Sequence, residues 1–137
     1  MIKYKNRFYK ELIKSDFFVK LNEYDYLIIY KSKQYTIKID NSYPFKPPIC
    51  YLKNGIRINY NPKQFPKRLW NIYNELNECM CCNNISCPER WSPARSFYEI
   101  IDEYKNFVEK LKIIYKKQIF NNVSLPYDII YSIYQYL

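Results

Sequence analysis

Apolar residues recur with helical spacing in the first segment of the chain, between Tyr4 and Ser15. Residues three to four positions apart lie on one face of a helix. The segment therefore predicts an amphipathic helix with an apolar face. The residues of that face are Tyr4, Phe8, Leu12 and Ile13.

The next part of the chain contains four short runs dominated by Tyr, Ile and Val, and polar breaks separate them. Such runs are typical of β-strands. Their close spacing, without helices between them, favours an antiparallel meander over a parallel sheet. The predicted strands are Phe17–Leu21, Tyr24–Lys31, Tyr35–Asp40 and Ile49–Leu52.

Two segments interrupt this regular pattern. Three prolines within Tyr43–Pro48 restrict the backbone between the third and fourth strands and exclude a helix or a central strand there. The second segment, Lys53–Arg90, has no evident periodicity and carries four of the five cysteines between Cys79 and Cys87. A long stretch without a regular pattern inside a compact domain is usually functional.

The clearest helix signal begins at Ser96, which forms a capping box with Glu99. An apolar stripe follows, and we interpret it as a core-facing helix. Its residues are Phe97, Ile100, Ile101, Tyr104, Phe107, Val108, Leu111, Ile114 and Tyr115. A further helix is predicted from Ser124 to the end of the chain.

These elements predict an α+β domain: an N-terminal helix, a four-stranded antiparallel meander sheet, and a long C-terminal helix packed on the sheet. We place this domain at residues 1–120 and a C-terminal helical extension at residues 121–137. The length of 137 residues is that of one ordinary domain.

Composition narrows the possible chemistry. The chain has no histidine, which excludes Ser-His-Asp and Cys-His hydrolases and His-ligated zinc sites. Its single glycine, Gly55, excludes a Gly-rich phosphate loop. No apolar run approaches the roughly 18 residues of a membrane span. We therefore expect an intracellular, cytoplasmic protein without a membrane partner, in which cysteine, carboxylate, lysine or tyrosine performs any catalysis.

The net charge of +9 is concentrated at the N-terminus. A basic cluster can bind nucleic acid or an acidic protein surface, or it can form a solvated helix face. The bias toward Asn, Lys, Ile, Tyr and Phe indicates an A/T-rich gene and weakens arguments from abundant lysine. Nucleic-acid binding rests on charge alone, so we do not expect it. The basic residues are Lys3, Lys5, Arg7, Lys10 and Lys14.

Two segments, Tyr43–Pro48 and Trp91–Ala94, resemble signatures of the ubiquitin-conjugating enzyme family. The proline-rich segment Tyr43–Pro48 matches the Tyr-Pro-Phe-x-Pro-Pro signature that follows the third strand in that family. The segment Trp91–Ala94 matches the Trp-Ser-Pro-Ala signature that follows the active-site cysteine. Both occur in the family's order, and the resemblance covers roughly Asn6 to Leu111. It implies a ubiquitin-conjugating-like fold, here of a divergent protist or giant-virus type.

The resemblance also implies an activity. Family members carry ubiquitin or a related modifier as a cysteine thioester and transfer it to a lysine amine, without a cofactor. Their nucleophile lies about eight residues before the tryptophan. Here Cys82 lies nine residues before Trp91, Cys81 ten and Cys87 four, and Cys82 is the predicted nucleophile. A thiol is the nucleophile least dependent on a neighbouring base, because some thiolate exists near neutral pH.

The family's upstream His-Pro-Asn tripeptide is missing. Its asparagine supports the oxyanion, and the nearest equivalent here is Asn61, with Asn83 or Asn84 as substitutes. An insertion over residues 63–78 separates Asn61 from Cys82. Loss of one oxyanion donor typically slows such reactions about a hundred- to thousandfold.

The resemblance further implies partner surfaces. Family members contact ligases through the phenylalanine of the proline loop and the proline-alanine after the tryptophan, here Phe45, Pro93 and Ala94. The basic first helix binds an activating enzyme, and the residues implied for this contact are Lys3, Lys5, Arg7 and Lys10.

Two alternatives stay open at this point. One is a zinc site, because Cys79 and Cys82 have the spacing of a zinc knuckle and Cys87 could be a third ligand. Such a site would occupy the proposed nucleophile. The other is a catalytically inactive binding or structural module, such as a scaffold or virion protein, built on the same fold.

Overall fold

A computed structural model describes residues 2–61, 65–77 and 79–120, with side chains described from Asn6 onward except those of 82 and 118–120. The predicted first helix, four strands and long helix occur in the predicted order, and two further helices lie between the sheet and the long helix along the chain. The elements are α1 (Ile2–Leu12), β1 (Phe17–Lys20), β2 (Asp25–Tyr30), β3 (Lys33–Lys38), β4 (Ile49–Leu52), α2 (Lys67–Leu76), α3 (Met80–Asn83) and α4 (Phe97–Phe120).

The four strands form one antiparallel sheet in the order β1-β2-β3-β4. Because alternate side chains of a strand point to opposite faces, one face collects the buried residues. These include Tyr26, Ile28, Tyr35 and Ile37. The predicted meander is therefore confirmed, with each strand within two residues of its predicted ends.

A two-residue turn joins β2 to β3. Lys31 and Ser32 both have positive φ angles, 50° and 66°. This is the left-handed geometry that matches the twist of a tight hairpin. The turn fixes the register, in which Tyr30 pairs with Lys33 and Ile28 with Tyr35.

The described residues form two compact units. The sheet unit comprises those up to Ile58 and Ile85–Ile101, and thus contains α1, the sheet and the first turn of α4. Phe8 of α1 is buried there against the rings of Tyr26, Tyr43 and Phe97, with centroids 4.9, 5.4 and 5.5 Å away.

The aromatic unit comprises the described residues of Asn59–Asn84 and those from Asp102 onward. Its core is a cluster of rings around Phe107 of α4, with four ring centroids between 4.9 and 5.4 Å from that of Phe107. The four neighbouring rings are Tyr60, Phe65, Trp70 and Tyr73.

The α+β class and the long C-terminal helix are confirmed, and every residue of the predicted apolar stripe of α4 is buried. Helix α2, in contrast, lies in the segment that we predicted to lack regular structure. The expected helix after Ser124 and the extension 121–137 lie outside the described residues, so the division at residue 120 stays a prediction. No helix in the described ranges is both long and apolar enough to span a bilayer.

Candidate functional site

The proline-rich segment is anchored by its first residue. Tyr43 is 2% exposed, and its hydroxyl donates a hydrogen bond to the carboxylate of Glu11 on α1. The Tyr43–Pro44 peptide bond is cis. Two residues along, the Phe45 N–H donates to the carbonyl of Ser42 at 2.7 Å, and the Phe45 side chain is 78% exposed. The segment thus presents an exposed ring from a fixed backbone.

A hydrogen bond joins the two motifs that carry the family resemblance. The indole Nε1–H of Trp91 donates to the carbonyl oxygen of Pro44 at 2.7 Å. Trp91 itself is buried. Because an indole has a single donor and its ring is immobilised by burial, this bond sets the position of the loop that carries Phe45.

The residues after Trp91 form a compact turn. The Ser92 hydroxyl accepts the N–H of Ala94 at 3.2 Å, and the Ser92 carbonyl accepts the N–H of Arg95 at 2.9 Å. Pro93 and Ala94 are exposed. The structure therefore places Phe45, Pro93 and Ala94 at exposed positions of the sheet unit, on segments linked by the Trp91–Pro44 bond.

A buried carboxyl, that of Glu11, contacts the first residue of the proline-rich segment. Glu11 accepts the Tyr43 hydroxyl on its carboxylate, while its backbone carbonyl accepts the Tyr98 hydroxyl at 2.5 Å. Burial raises the pKa of Glu11, and the Tyr43 hydrogen bond and the Arg7 charge oppose that shift. Burial and the hydrogen bond to Glu11 raise the pKa of Tyr43, and burial raises the pKa of Tyr98 to about 12. Both tyrosines therefore act as hydrogen-bond donors at neutral pH.

The basic residues of α1 differ in their availability to a partner. The Arg7 guanidinium donates to the Arg95 carbonyl at 3.1 Å and lies 3.6 Å from the Glu11 carboxylate. Arg7 thus contributes to the sheet unit itself. Lys10 is exposed in the last turn. Lys3 and Lys5 lie on the same helix, with side chains outside the description.

The predicted nucleophile, Cys82, lies on the single-turn helix α3 in the aromatic unit. Helix α2 occupies most of the insertion before it and packs through Trp70 and Tyr73 on Phe107. The chain between Asn61 and Cys82 therefore contains a helix with a buried face, whereas we had expected an irregular insertion.

The candidate oxyanion donors are placed differently from one another. Asn61 is exposed just after Tyr60, and its N–H donates to the Asn59 side chain at 3.1 Å. The Asn83 amide donates to the Cys79 carbonyl and the Asn84 amide to the Met80 carbonyl, both at 2.8 Å. The last two amides thus hold the backbone of α3. Asn61 and Cys82 belong to the same unit.

The remaining cysteines do not form a metal site among the described side chains, where no group of three or more Cys, Asp or Glu is placed to share an ion. Cys50 is buried in β4, and burial raises the pKa of its thiol. The thiols of Cys79 and Cys81 are 2.7 Å apart. The zinc alternative involves Cys82, whose side chain is outside the description.

Sequence reasoning missed two features of these regions. The Glu11–Tyr43 contact joins residues 32 positions apart, and no local pattern signals it. Helix α2 did carry a signal, because its three buried residues have helical spacing directly after Pro66. The buried residues are Leu69, Trp70 and Tyr73.

No protein-family model and no curated protein matches the chain, and no solved structure matches its fold.

Proposed function

We propose that this chain is a ubiquitin-conjugating-like protein, which carries ubiquitin or a ubiquitin-like modifier as a thioester on Cys82 and transfers it to a lysine. Its partners are the modifier, an activating enzyme that loads Cys82, and a ligase that binds the surface of Phe45, Pro93 and Ala94.

The observation that supports this most is the hydrogen bond between Trp91 and Pro44. Two motifs that are 47 residues apart in the chain are in direct contact. They leave an aromatic ring, a proline and an alanine exposed. The Phe45 side chain is 78% exposed, so it has no role in the core and is accessible to a partner. This arrangement supports the ligase-binding role of Phe45.

The chemistry would proceed by acyl exchange. The Cys82 thiolate attacks the thioester of the loaded activating enzyme, a new thioester forms on Cys82, and the enzyme's thiol leaves. A lysine amine then attacks the Cys82 thioester, an amide forms, and Cys82 leaves as the thiolate. Both steps pass through an oxyanion, which amide N–H donors stabilise. Asn61 is the exposed candidate for this donor.

A charging assay tests the proposal. The purified chain is incubated with ubiquitin, activating enzyme and ATP, and the products are separated with and without reducing agent. We expect a ubiquitin adduct that reducing agent removes and that Cys82→Ala abolishes. Cys87→Ala is the matched control and should keep the adduct. Absence of an adduct on folded protein, or an adduct that survives in Cys82→Ala, would contradict the proposal.

A second candidate function is a binding module without transferase activity. It is favoured by the amides of Asn83 and Asn84, which already hold the backbone of α3, and by the absence of histidine. This module would use the same Phe45 surface. It predicts no adduct in the charging assay, together with binding to a ligase domain that Phe45→Ala weakens.

A further inference from the structure

Two thiols are in contact at the start of α3. Cys79 directly precedes the helix and Cys81 is its second residue, and their Sγ atoms are 2.7 Å apart, within hydrogen-bonding distance. A disulfide bond joins its sulfurs at about 2.0 Å. The two sulfurs would therefore need to approach by less than about 1 Å to form that bond.

The backbone around this pair is held by side-chain amides. The Asn83 amide donates to the Cys79 carbonyl, and the Asn84 amide donates to the Met80 carbonyl, each at 2.8 Å. A longer contact of 3.4 Å joins the Asn84 amide to the Cys81 carbonyl. Because Asn84 is itself buried, these bonds fix the turn that brings the two thiols together.

The two thiols differ in their access to solvent. Cys81 is exposed, whereas Cys79 is partly buried. Cys50, for comparison, is buried, and burial raises the pKa of its thiol. Since the thiolate is the reactive form and must meet the oxidant, Cys81 is the better placed to react first and Cys50 is poorly placed.

We propose that Cys79 and Cys81 form a reversible intramolecular disulfide, with a low-molecular-weight disulfide such as oxidised glutathione as the oxidant. The Cys81 thiolate attacks one sulfur of the oxidant, breaks its S–S bond and releases one thiol. The Cys79 thiolate then attacks the Cys81 sulfur and releases the second thiol. The oxidant gains the two protons that the protein thiols lose and is reduced to two thiols, while the protein gains one S–S bond. This chemistry requires neither an acyl carrier nor a modifier protein.

The position of Met80 allows a direct test. Cyanogen bromide cleaves after methionine, and the chain has two methionines, Met1 and Met80. Cleavage therefore separates the chain between Cys79 and Cys81. The full chain is treated with oxidised glutathione, its remaining thiols are alkylated, and it is then cleaved. We expect the two fragments to stay linked on a non-reducing gel and to separate after dithiothreitol.

Single variants identify the linked pair. The linkage should disappear in Cys79→Ser and in Cys81→Ser and persist in Cys82→Ser and Cys87→Ser. The intact mass of the oxidised chain should fall by two hydrogens and recover on reduction, which tests the bond without any substitution. Loss of the linkage in Cys82→Ser, its persistence in Cys79→Ser, or glutathione adducts without linked fragments would overturn the proposal.

Discussion

Different kinds of interaction stabilise the interior of each of the two units. In the sheet unit, directional hydrogen bonds converge on one residue: Glu11 accepts the Tyr43 hydroxyl on its carboxylate and the Tyr98 hydroxyl on its backbone carbonyl. In the aromatic unit, rings pack around Phe107, and the indole of Trp70 stacks on Phe65 with an interplanar angle of 8°. The first arrangement depends on polar partners, and the second depends on volume and shape.

This difference matters for the proposed function. The exposed Phe45 surface belongs to the unit with fixed hydrogen bonds, where Trp91 holds the Pro44 carbonyl. A binding surface benefits from a backbone that is already ordered, because less conformational entropy is lost on association. We therefore expect the loss of a single hydrogen-bond donor to destabilise the sheet unit and the loss of an aromatic ring to destabilise the aromatic unit.

The largest effect should follow from Phe107→Ala. Because Phe107 is 2% exposed and contacts the rings of Tyr60, Trp70 and Tyr73, its truncation leaves a cavity and should lower the free energy of unfolding by about 3–5 kcal/mol. Urea denaturation followed by far-ultraviolet circular dichroism measures this loss.

Ile113→Ala is the matched control for the Phe107 substitution. It removes an apolar side chain from the same helix at a position that is 53% exposed. Its effect should stay within about 0.5 kcal/mol. Equal losses in the two variants would show that the ring cluster does not stabilise the aromatic unit.

The next effect should follow from Tyr43→Phe in the sheet unit. The substitution keeps the ring and removes the hydroxyl that donates to Glu11, so the buried carboxyl keeps Arg7 and loses its tyrosine partner. We expect a loss of about 1–3 kcal/mol in the free energy of unfolding. Tyr60→Phe is the counterpart in the aromatic unit, where the hydroxyl donates to the partly buried Glu103 at 3.2 Å. Thermal denaturation should show a smaller loss for Tyr60→Phe, and the reverse order would contradict the comparison.

The two units also differ in how well their structure follows from the sequence. The strands of the sheet unit were predicted closely because runs rich in Tyr, Ile and Val and the polar breaks between them are local signals. One bond of the predicted capping box is confirmed, since the Glu99 carboxylate accepts the Ser96 N–H at 2.8 Å, whereas the Glu99 N–H donates to the Ser96 backbone carbonyl at 3.1 Å. Helix α2 was missed because Lys53–Arg90 was interpreted as a segment without periodicity. The three buried residues of α2 nevertheless have helical spacing.

The site is less predictable than the fold. The motifs locate Phe45, Trp91 and the cysteines, but no spacing rule predicts that the Trp91 indole contacts the Pro44 carbonyl. The contacts that Arg7 makes with Arg95 and Glu11 could not be predicted either. Charge patterning alone does not distinguish an arginine that binds a partner from one that is bound within the fold. Such contacts depend on the tertiary structure and not on local sequence.

The pH dependence of stability tests the role of the buried Glu11 carboxyl. Burial raises the pKa of Glu11 above its ordinary value of 4.5, so the folded chain binds this proton more tightly than the unfolded chain does. The stabilising contribution of the protonated carboxyl is complete below that value and is lost as the pH rises through the raised pKa. Glu11→Gln keeps an acceptor for Tyr43 and removes the titration.

We therefore expect the stability of Glu11→Gln, relative to the unsubstituted chain, to increase as the pH rises from about 4 to about 7. Melting temperatures measured across that range would show it. Glu75→Gln changes an exposed carboxyl on α2 and is the matched control. A relative stability that falls with pH, or one that follows the control, would contradict the role assigned to burial at Glu11.

The smallest effect should come from Glu99, at the start of the helix whose residues belong to both units. Its carboxylate accepts the Ser96 N–H and lies 3.6 Å from Arg95 in an ion pair that is more than one third exposed. An exposed pair contributes little, so the cap dominates, and Glu99→Ala should cost about 0.5–1 kcal/mol. Glu99→Gln retains an acceptor and should cost less.

The first turn of α4 carries Phe97 and Tyr98, which pack on Phe8 and Tyr30. The lost cap should therefore increase amide exchange at residues 97–101 before it affects the rings around Phe107.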